Sequence, residues 1–288
     1  MSDRPVSDAG VARKAWVLIR RRKTVAFGFA ILFLMIFLAL FAGLVSSHSP
    51  TAMRVSQRLR PPSSVNWFGT DEYGRDVFTR VIHGGRTSLF IGAMTVVFSC
   101  FCGSLLGIVG GYFRRADMVV SRFIDAMMAF PDILLAITMI SVLRPSAYSV
   151  IFALGIVYTP RVARVARAST LVIRELAYVD AARVLGVSTW RILFVHVLRN
   201  ITSPLIVQGT FIYAYAILAE AGLSYLGAGV SPEIPTWGGI INAGQQYIGR
   251  APWLMLFPGL FIMLSVFSLQ LSGDALRDIL DPRLRKEC

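Results

Sequence analysis

The chain has 288 residues, 55% of them hydrophobic and 16% charged, whereas a soluble globule carries about 25% charged residues. A water-soluble domain and a disordered segment are both excluded, which leaves a polytopic membrane protein. The 29 Lys+Arg against 16 Asp+Glu give a net charge of +13, which suits either nucleic acid or the basic rim of a bilayer protein, and the positions of the charges decide between them.

An N-terminal segment, residues 1–23, is basic and precedes the first charge-free run, residues 24–45. Twenty-two residues at about 1.5 Å each reach about 33 Å, enough for the hydrocarbon core, and the run is too long for the apolar core of a signal peptide. An outer segment, residues 46–86, follows; it carries Pro61-Pro62 and then Trp67-Phe68-Gly69-Thr70-Asp71-Glu72-Tyr73-Gly74-Arg75-Asp76. Asp71, Glu72 and Asp76 lack a calcium-loop pattern and stand beside Arg75 and Arg80, so a salt-bridged turn is expected rather than a metal site. Trp67, Phe68 and Tyr73 are expected to anchor it at the membrane interface.

The second span is expected at 87–113, rich in glycine as close helix packing in lipid requires. A third, at about 118–143, is expected to bend near Pro131 and holds Asp125 and Asp132; Arg122 is the expected partner of Asp125. The fourth, at about 146–160, is prolonged by Arg161, Arg164 and Arg167, whose side chains can snorkel to headgroups. The fifth and sixth are expected at 201–219 and 251–273, followed by a tail, residues 274–288. With the N-terminus placed inside, inner segments hold 21 basic residues and outer segments 8. That bias sets both termini in the cytoplasm and explains the net charge without nucleic acid.

The inner loop, residues 168–200, holds Tyr178-Val179-Asp180-Ala181-Ala182-Arg183-Val184-Leu185-Gly186. Asp180 suits a helix N-terminus and Gly186 a helix stop. A second helical stretch is expected to open at Val187-Ser188-Thr189-Trp190, so that two short helices form a knob with small residues on one flank.

Chemistry is sparsely represented. None of the three lysines, Lys14, Lys23 and Lys286, follows a glycine, so there is no Walker A motif. Cys100, Cys102 and Cys288 support neither a disulfide framework nor a metal site. His48, His83 and His196 lack zinc-site companions, and no Ser–His pair falls on facing spans, which argues against an intramembrane enzyme. No cofactor is expected.

The Asp-Ala-Ala-x-x-x-Gly spacing at Asp180, Ala181, Ala182 and Gly186, with His196, Leu198 and Arg199 following, resembles the Glu-Ala-Ala loop of ABC importer permeases, Arg199 replacing the family's proline. The resemblance narrows to the C-type subunit of the dipeptide, oligopeptide and nickel importers. It is carried by the outer motif from Trp67 to Asp76, by Glu220-Ala221-x-Leu223-Ser224-Tyr225-Leu226-Gly227-x-Gly229, Pro235-x-Trp237-Gly238 and Phe257-Pro258-Gly259, and by Gly273-Asp274-x-Leu276-Arg277-Asp278-x-Leu280-Asp281-Pro282. It implies an all-α membrane protein of six transmembrane helices with the type I importer permease fold, in a bacterial inner membrane, with residues 87–273 as a five-helix core.

It also implies a homologous second permease, two ABC ATPase subunits that hydrolyse the ATP, an extracytoplasmic solute-binding protein and surrounding lipid as partners. The cargo it implies is a short peptide, with nickel or another peptide-like solute as the alternative. Asp180, Ala181, Ala182, Arg183, Gly186 and Val187 are then the expected ATPase-coupling residues. Asp132 and Glu220, acidic groups at membrane depth, are the expected translocation-pathway candidates.

Overall fold

The computed structural model describes residues 23–46 and 48–280. The expectations for residues 1–22, for Asp281, Pro282 and the rest of the tail, and for Cys288 lie outside them. The described chain is helical, with a single isolated bridge between Thr70 and Asp76 and no strand.

Helix α1 (Lys23–Leu40) buries Val25, Gly28, Ile31, Met35 and Ala39, a stripe at helical spacing. It lies against the last helix, α9 (Trp253–Leu280), where Gly28 abuts Leu271. Phe27, Phe33 and Phe37 face outward, as a lipid-facing surface allows.

Helix α2 (Val77–Tyr112) begins ten residues before the expected start of the second span. A charge-free run could not reveal this start. Asp76 caps the helix by accepting the Thr79 N–H at 2.8 Å, and Arg80, inside the first turns, is buried beside Asp71. Residues 77–86 of the segment expected outside the span are therefore helical.

The expected third span is broken. Helix α3 (Arg114–Met128) and helix α4 (Asp132–Val142) meet at 92°. The break falls at Ala129–Pro131: proline has no N–H to continue the ladder and pushes Phe130 out of the helical region. Helices long and apolar enough to cross a membrane number five among the described residues, or six if the bent pair crosses as one.

Helix α5 (Ala147–Ile173) runs thirteen residues past the expected end at Pro160, so its three arginines are helical residues rather than a terminal fringe. Helix α6 (Ala177–Val184) forms the knob. The second short helix expected there is instead the beginning of a long one. Thr189–Arg191, a π-helical stretch at Ile192–Leu198 and helix α7 (Arg199–Tyr225) run on as one continuous helix of 37 residues. A proline at 199 would remove an N–H, whereas Arg199 keeps helical backbone with φ −59° and ψ −36°. Helix α8 (Trp237–Gly244) is capped by Thr236, and α9 continues seven residues beyond the expected end at Gly273.

The core falls into three layers along the bundle. One, at the loop end, gathers Val77, Val81, Ile217, Trp237 and Leu254; a middle one holds Ile91, Ile140, Leu154 and Ile212; one at the knob end joins Ile108, Val179, Ile192, Val197 and Ile201. Between α2 and α5 the backbones touch. Gly103, Gly107 and Gly111 recur every fourth residue, and a Cβ on each would lie 2.8 Å from the Thr159 carbonyl oxygen, 2.5 Å from that of Ala163 and 2.9 Å from that of Arg167. This is small-residue packing in which missing side chains let two helices approach.

Gly107→Val should therefore lower the thermal stability of the purified protein by at least 2 kcal/mol, roughly the range of an overpacked core. Gly259→Ala, where a Cβ meets nothing within 4 Å, should leave the melting curve within about 0.5 kcal/mol. Equal melting of the two variants would show that the seam does not constrain the helices.

Candidate functional site

The knob is anchored on one face and exposed on the other. Val179 and Ala182 of α6 are buried against Ile108, Ile192, Leu193 and Val197. Past its end, Gly186 has φ +75°; its N–H donates to the Arg183 carbonyl at 3.0 Å, and the Val187 N–H donates to the Ala182 carbonyl at 3.0 Å. The paired bonds and the left-handed glycine make a Schellman stop. Val187, half-buried, packs back onto the same cluster.

Arg183 ties the knob to the end of α2. Its Nε donates to the Tyr112 hydroxyl at 3.3 Å, with its guanidinium 5.2 Å from that ring's centre, and Nη1 donates to Asp180 at 2.9 Å. The Tyr112 hydroxyl bond, reinforced by Asp180, raises the Arg183 pKa above its ordinary value. Of the six expected coupling residues, Asp180, Ala181, Arg183 and Gly186 are exposed, Val187 is half-buried and Ala182 is buried against the bundle.

Sequence reasoning passed over the apolar tip. Val184 is 88% exposed and Leu185 82%, with Trp190 also outside. The signal was available: Val184 stands opposite the Val179 and Ala182 stripe, on the helix face a soluble knob would make polar, and Leu185 follows it at the helix end.

The second feature is a ladder of ion pairs across the bend. Arg161, Arg164 and Arg167 of α5 pair with Asp132, Asp125 and Asp117. Asp125 is thus held by Arg164 at 3.0 Å rather than by its neighbour Arg122. The arginines do not reach for headgroups, because α3 and α4 bring a carboxylate to each. Asp132 occupies the first turn of α4, the helix end that favours a negative charge. The Arg161 guanidinium also lies 5.3 Å from the Tyr158 ring centre and 5.4 Å from that of Tyr215.

At the loop end, Asp71 organises the turn. Its Oδ1 accepts the Tyr73 and Arg75 backbone N–H groups at 2.9 and 2.8 Å, and Oδ2 accepts Arg75 Nε at 2.6 Å. Burial is the main cause of a raised Glu72 pKa, although Arg75 lies 3.2 Å from its Oε1. Gly74, at φ +73°, passes so close to Arg54 that a Cβ would overlap its carbonyl oxygen. Phe68 packs inward, its ring stacked on Phe257 of α9 at 3.9 Å, while Trp67 is exposed.

Glu220 is entirely buried. Its Oε2 accepts the Ser88 hydroxyl and its Oε1 the Ser224 hydroxyl, both at 2.8 Å, and Ser88 Oγ accepts the Trp237 N–H at 3.3 Å. The carboxyl group thereby joins α2, α7 and α8, and in this conformation it presents no surface to a passing solute.

Residues 103–286 match the binding-protein-dependent transport system inner membrane component family, and residues 11–62 match the N-terminal TM domain of oligopeptide transport permease C. The chain belongs to this permease family. A putative peptide transport system permease protein of Brucella suis is 46% identical over 269 residues, covering 93% of this chain and 91% of that one. The dipeptide transport system permease protein DppC of Alkalihalophilus pseudofirmus is 40% identical over 274 residues, covering 95% of this chain and 90% of the relative. Among solved structures, an inward-facing form of the MetNI methionine ABC transporter aligns with a TM-score of 0.57 at 18% identity, over 70% of this chain and 96% of that one. The fold is thus that of an ABC importer permease, a multi-pass inner-membrane subunit, and the permease family works with ATPase and binding-protein partners.

Removing the Glu220 carboxylate leaves two buried hydroxyls without their acceptor, so Glu220→Ala should cost about 1–3 kcal/mol of thermal stability. Glu220→Gln should cost less, since it keeps one acceptor. Transport per folded permease should be unchanged in both; an intact melting curve with lost transport would put Glu220 on the pathway.

Proposed function

We propose that this permease is one of two homologous membrane subunits that carry short peptides inward, driven by ATPase subunits seated on the α6 knob. Both termini and the knob lie on the cytoplasmic side, and the turn built on Asp71 faces the solute-binding protein. The basic-residue bias supports that orientation. The peptide cargo is supported by relatives whose names are peptide and dipeptide transport permeases and whose lengths this chain nearly matches.

The observation that carries the coupling role is the exposed pair Val184 and Leu185 beside Trp190. An apolar tip in water is unfavourable unless another surface covers it. The Schellman stop and the Arg183–Tyr112 tether fix where it points. A partner gripping it would move α6, the end of α2 and the beginning of the long helix together. Asp180, with its charge at the N-terminal turn, supplies a polar rim to this apolar centre. At the loop end, exposed Met53, Val65 and Trp67 offer the opposite contact to the binding protein. Movement of the packed helices between these contacts is the device by which ATP consumed in a partner opens a path here.

The double variant Val184→Asp, Leu185→Asp should reduce co-purification of the ATPase subunits at least tenfold, about 1.4 kcal/mol of binding free energy or more. Gly186→Ile should abolish peptide uptake with membrane insertion intact: a Cβ there meets nothing within 4 Å, and a β-branched residue resists positive φ. Full ATPase recovery and wild-type uptake in both would remove the knob from the mechanism.

A further inference from the structure

The Arg161–Asp132 pair differs from the other two rungs of the ladder in depth and surroundings. Arg161 stands 14 residues after Ala147, about 21 Å along a helix whose membrane crossing is about 30 Å. At that depth an ionised side chain is tolerated only against a water-filled cavity or another protein surface. Yet about a third of each side chain is open, 32% for Arg161 and 35% for Asp132. A bridge serving the fold alone gains nothing from such an opening inside a bilayer.

The surroundings are those of a ligand site. Tyr158 and Tyr215 place two rings beside the guanidinium, an arrangement that steadies a cation while its carboxylate partner changes. Tyr158 is buried and holds its place by donating from its hydroxyl to the Tyr215 carbonyl at 3.4 Å, while the Tyr215 side chain lies exposed. Among the described residues the bond to Asp132 uses Nη2 alone, so most of the guanidinium's planar fork of donors remains for a second carboxylate. Asp132 follows directly on the 92° break between α3 and α4. The carboxylate therefore sits at a joint, with α4, α5 and α7 converging on it.

We propose that Arg161 and Asp132, flanked by Tyr158 and Tyr215, form a zwitterion-binding station on the translocation path, where the α-carboxylate of a peptide pairs with Arg161 and its α-ammonium with Asp132. The exchange opens one ion pair and closes two, so neither protein charge is stranded at membrane depth. Side chains of the peptide are not read by these contacts, which suits passage of short peptides of varied sequence. A neutral solute would gain nothing from breaking the pair. The open apolar groove between α2 and α7, lined by Val96, Cys100, Leu205 and Tyr213, lacks any charge to hold a zwitterion.

The inference rests on the peptide-permease reading above, and its test separates the two. In the complete importer, reconstituted in vesicles with its ATPases and binding protein, Tyr215 is replaced by the photo-crosslinker benzoylphenylalanine and radiolabelled dialanine is supplied during ATP turnover. Label is expected on this chain, and excess unlabelled dialanine should reduce it at least tenfold. Arg161→Gln and Asp132→Asn should each reduce dialanine uptake at least tenfold while binding-protein-stimulated ATP hydrolysis stays within twofold of wild type. Arg164→Gln, which breaks the exposed rung, should retain uptake within twofold. Absence of label while uptake continues overturns the station and leaves the peptide reading standing. Loss of ATP hydrolysis together with uptake in both variants also overturns it, because the pair then serves the fold. An importer that hydrolyses ATP but takes up no dialanine or longer peptide in wild-type form sinks the peptide reading itself.

Discussion

The contact on which the architecture depends is the near-touching of two backbones, α2 and α5, along Gly103, Gly107 and Gly111. In lipid there is no hydrophobic gain in bringing apolar helices together, so close van der Waals fit must hold them. A glycine every fourth residue supplies that fit and also sets rotation, because only one face of α2 can approach so closely. With Val162, Ala163 and Ala166 turned toward α2, Arg161, Arg164 and Arg167 are left to meet α3 and α4. Packing of glycine, which has no side chain, thus aims the arginine stripe of α5.

Charge placement follows from that aim. Carboxylates of the bent α3–α4 pair lie where the α5 arginines can use them, so three cations enter the bundle accompanied. The loop end uses another solution: Asp71 draws backbone N–H groups and Arg75 around itself, and Asp76 caps α2. Glu220 uses a third, hydroxyl donors from two helices with no cation bonded to it among the described residues. Each meets the requirement that a buried ionisable group be bonded.

Much of this order was legible in the residues. Charge-free runs located the first and sixth helices closely, because lipid demands apolar length, but they caught only the middle of the fifth, which runs on from Thr189 to Tyr225. The same criterion misplaced the start of α2, since Arg80 and Arg86 interrupt the run although the helix continues beneath them. The bend expected near Pro131 is where the third span breaks, but its size, 92°, was not legible, because length and hydropathy are satisfied by two helices at right angles as well as by one. The knob's boundaries could be read from Asp180 and Gly186, whose preferences are local. Its exposed apolar tip, Val184 and Leu185, was legible as a hydrophobic pair outside the Val179 and Ala182 stripe but was passed over; the partners of the buried face, Ile108 and Val197, are distant in sequence. Pairing across the bend was hidden for the same reason: Arg122 is near Asp125 in the chain, and Arg164 is near it only once the chain has folded.

The substitution of Arg199 for proline has a mechanical meaning. From Thr189 to Tyr225 the chain stays helical over about 55 Å, and its ladder of hydrogen bonds is altered only in the half nearest the knob, by the π-helical stretch at Ile192–Leu198 and by Pro204. A hinged arm would absorb a small displacement at one end by flexing in the middle. A stiff arm pivots, and the sideways travel of its far tip scales with distance from the fulcrum. A tilt of a few degrees about Pro204 would swing Tyr225, about 30 Å further along the helix, through about 2 Å, so any enlargement of a small stroke belongs to the stretch beyond the proline.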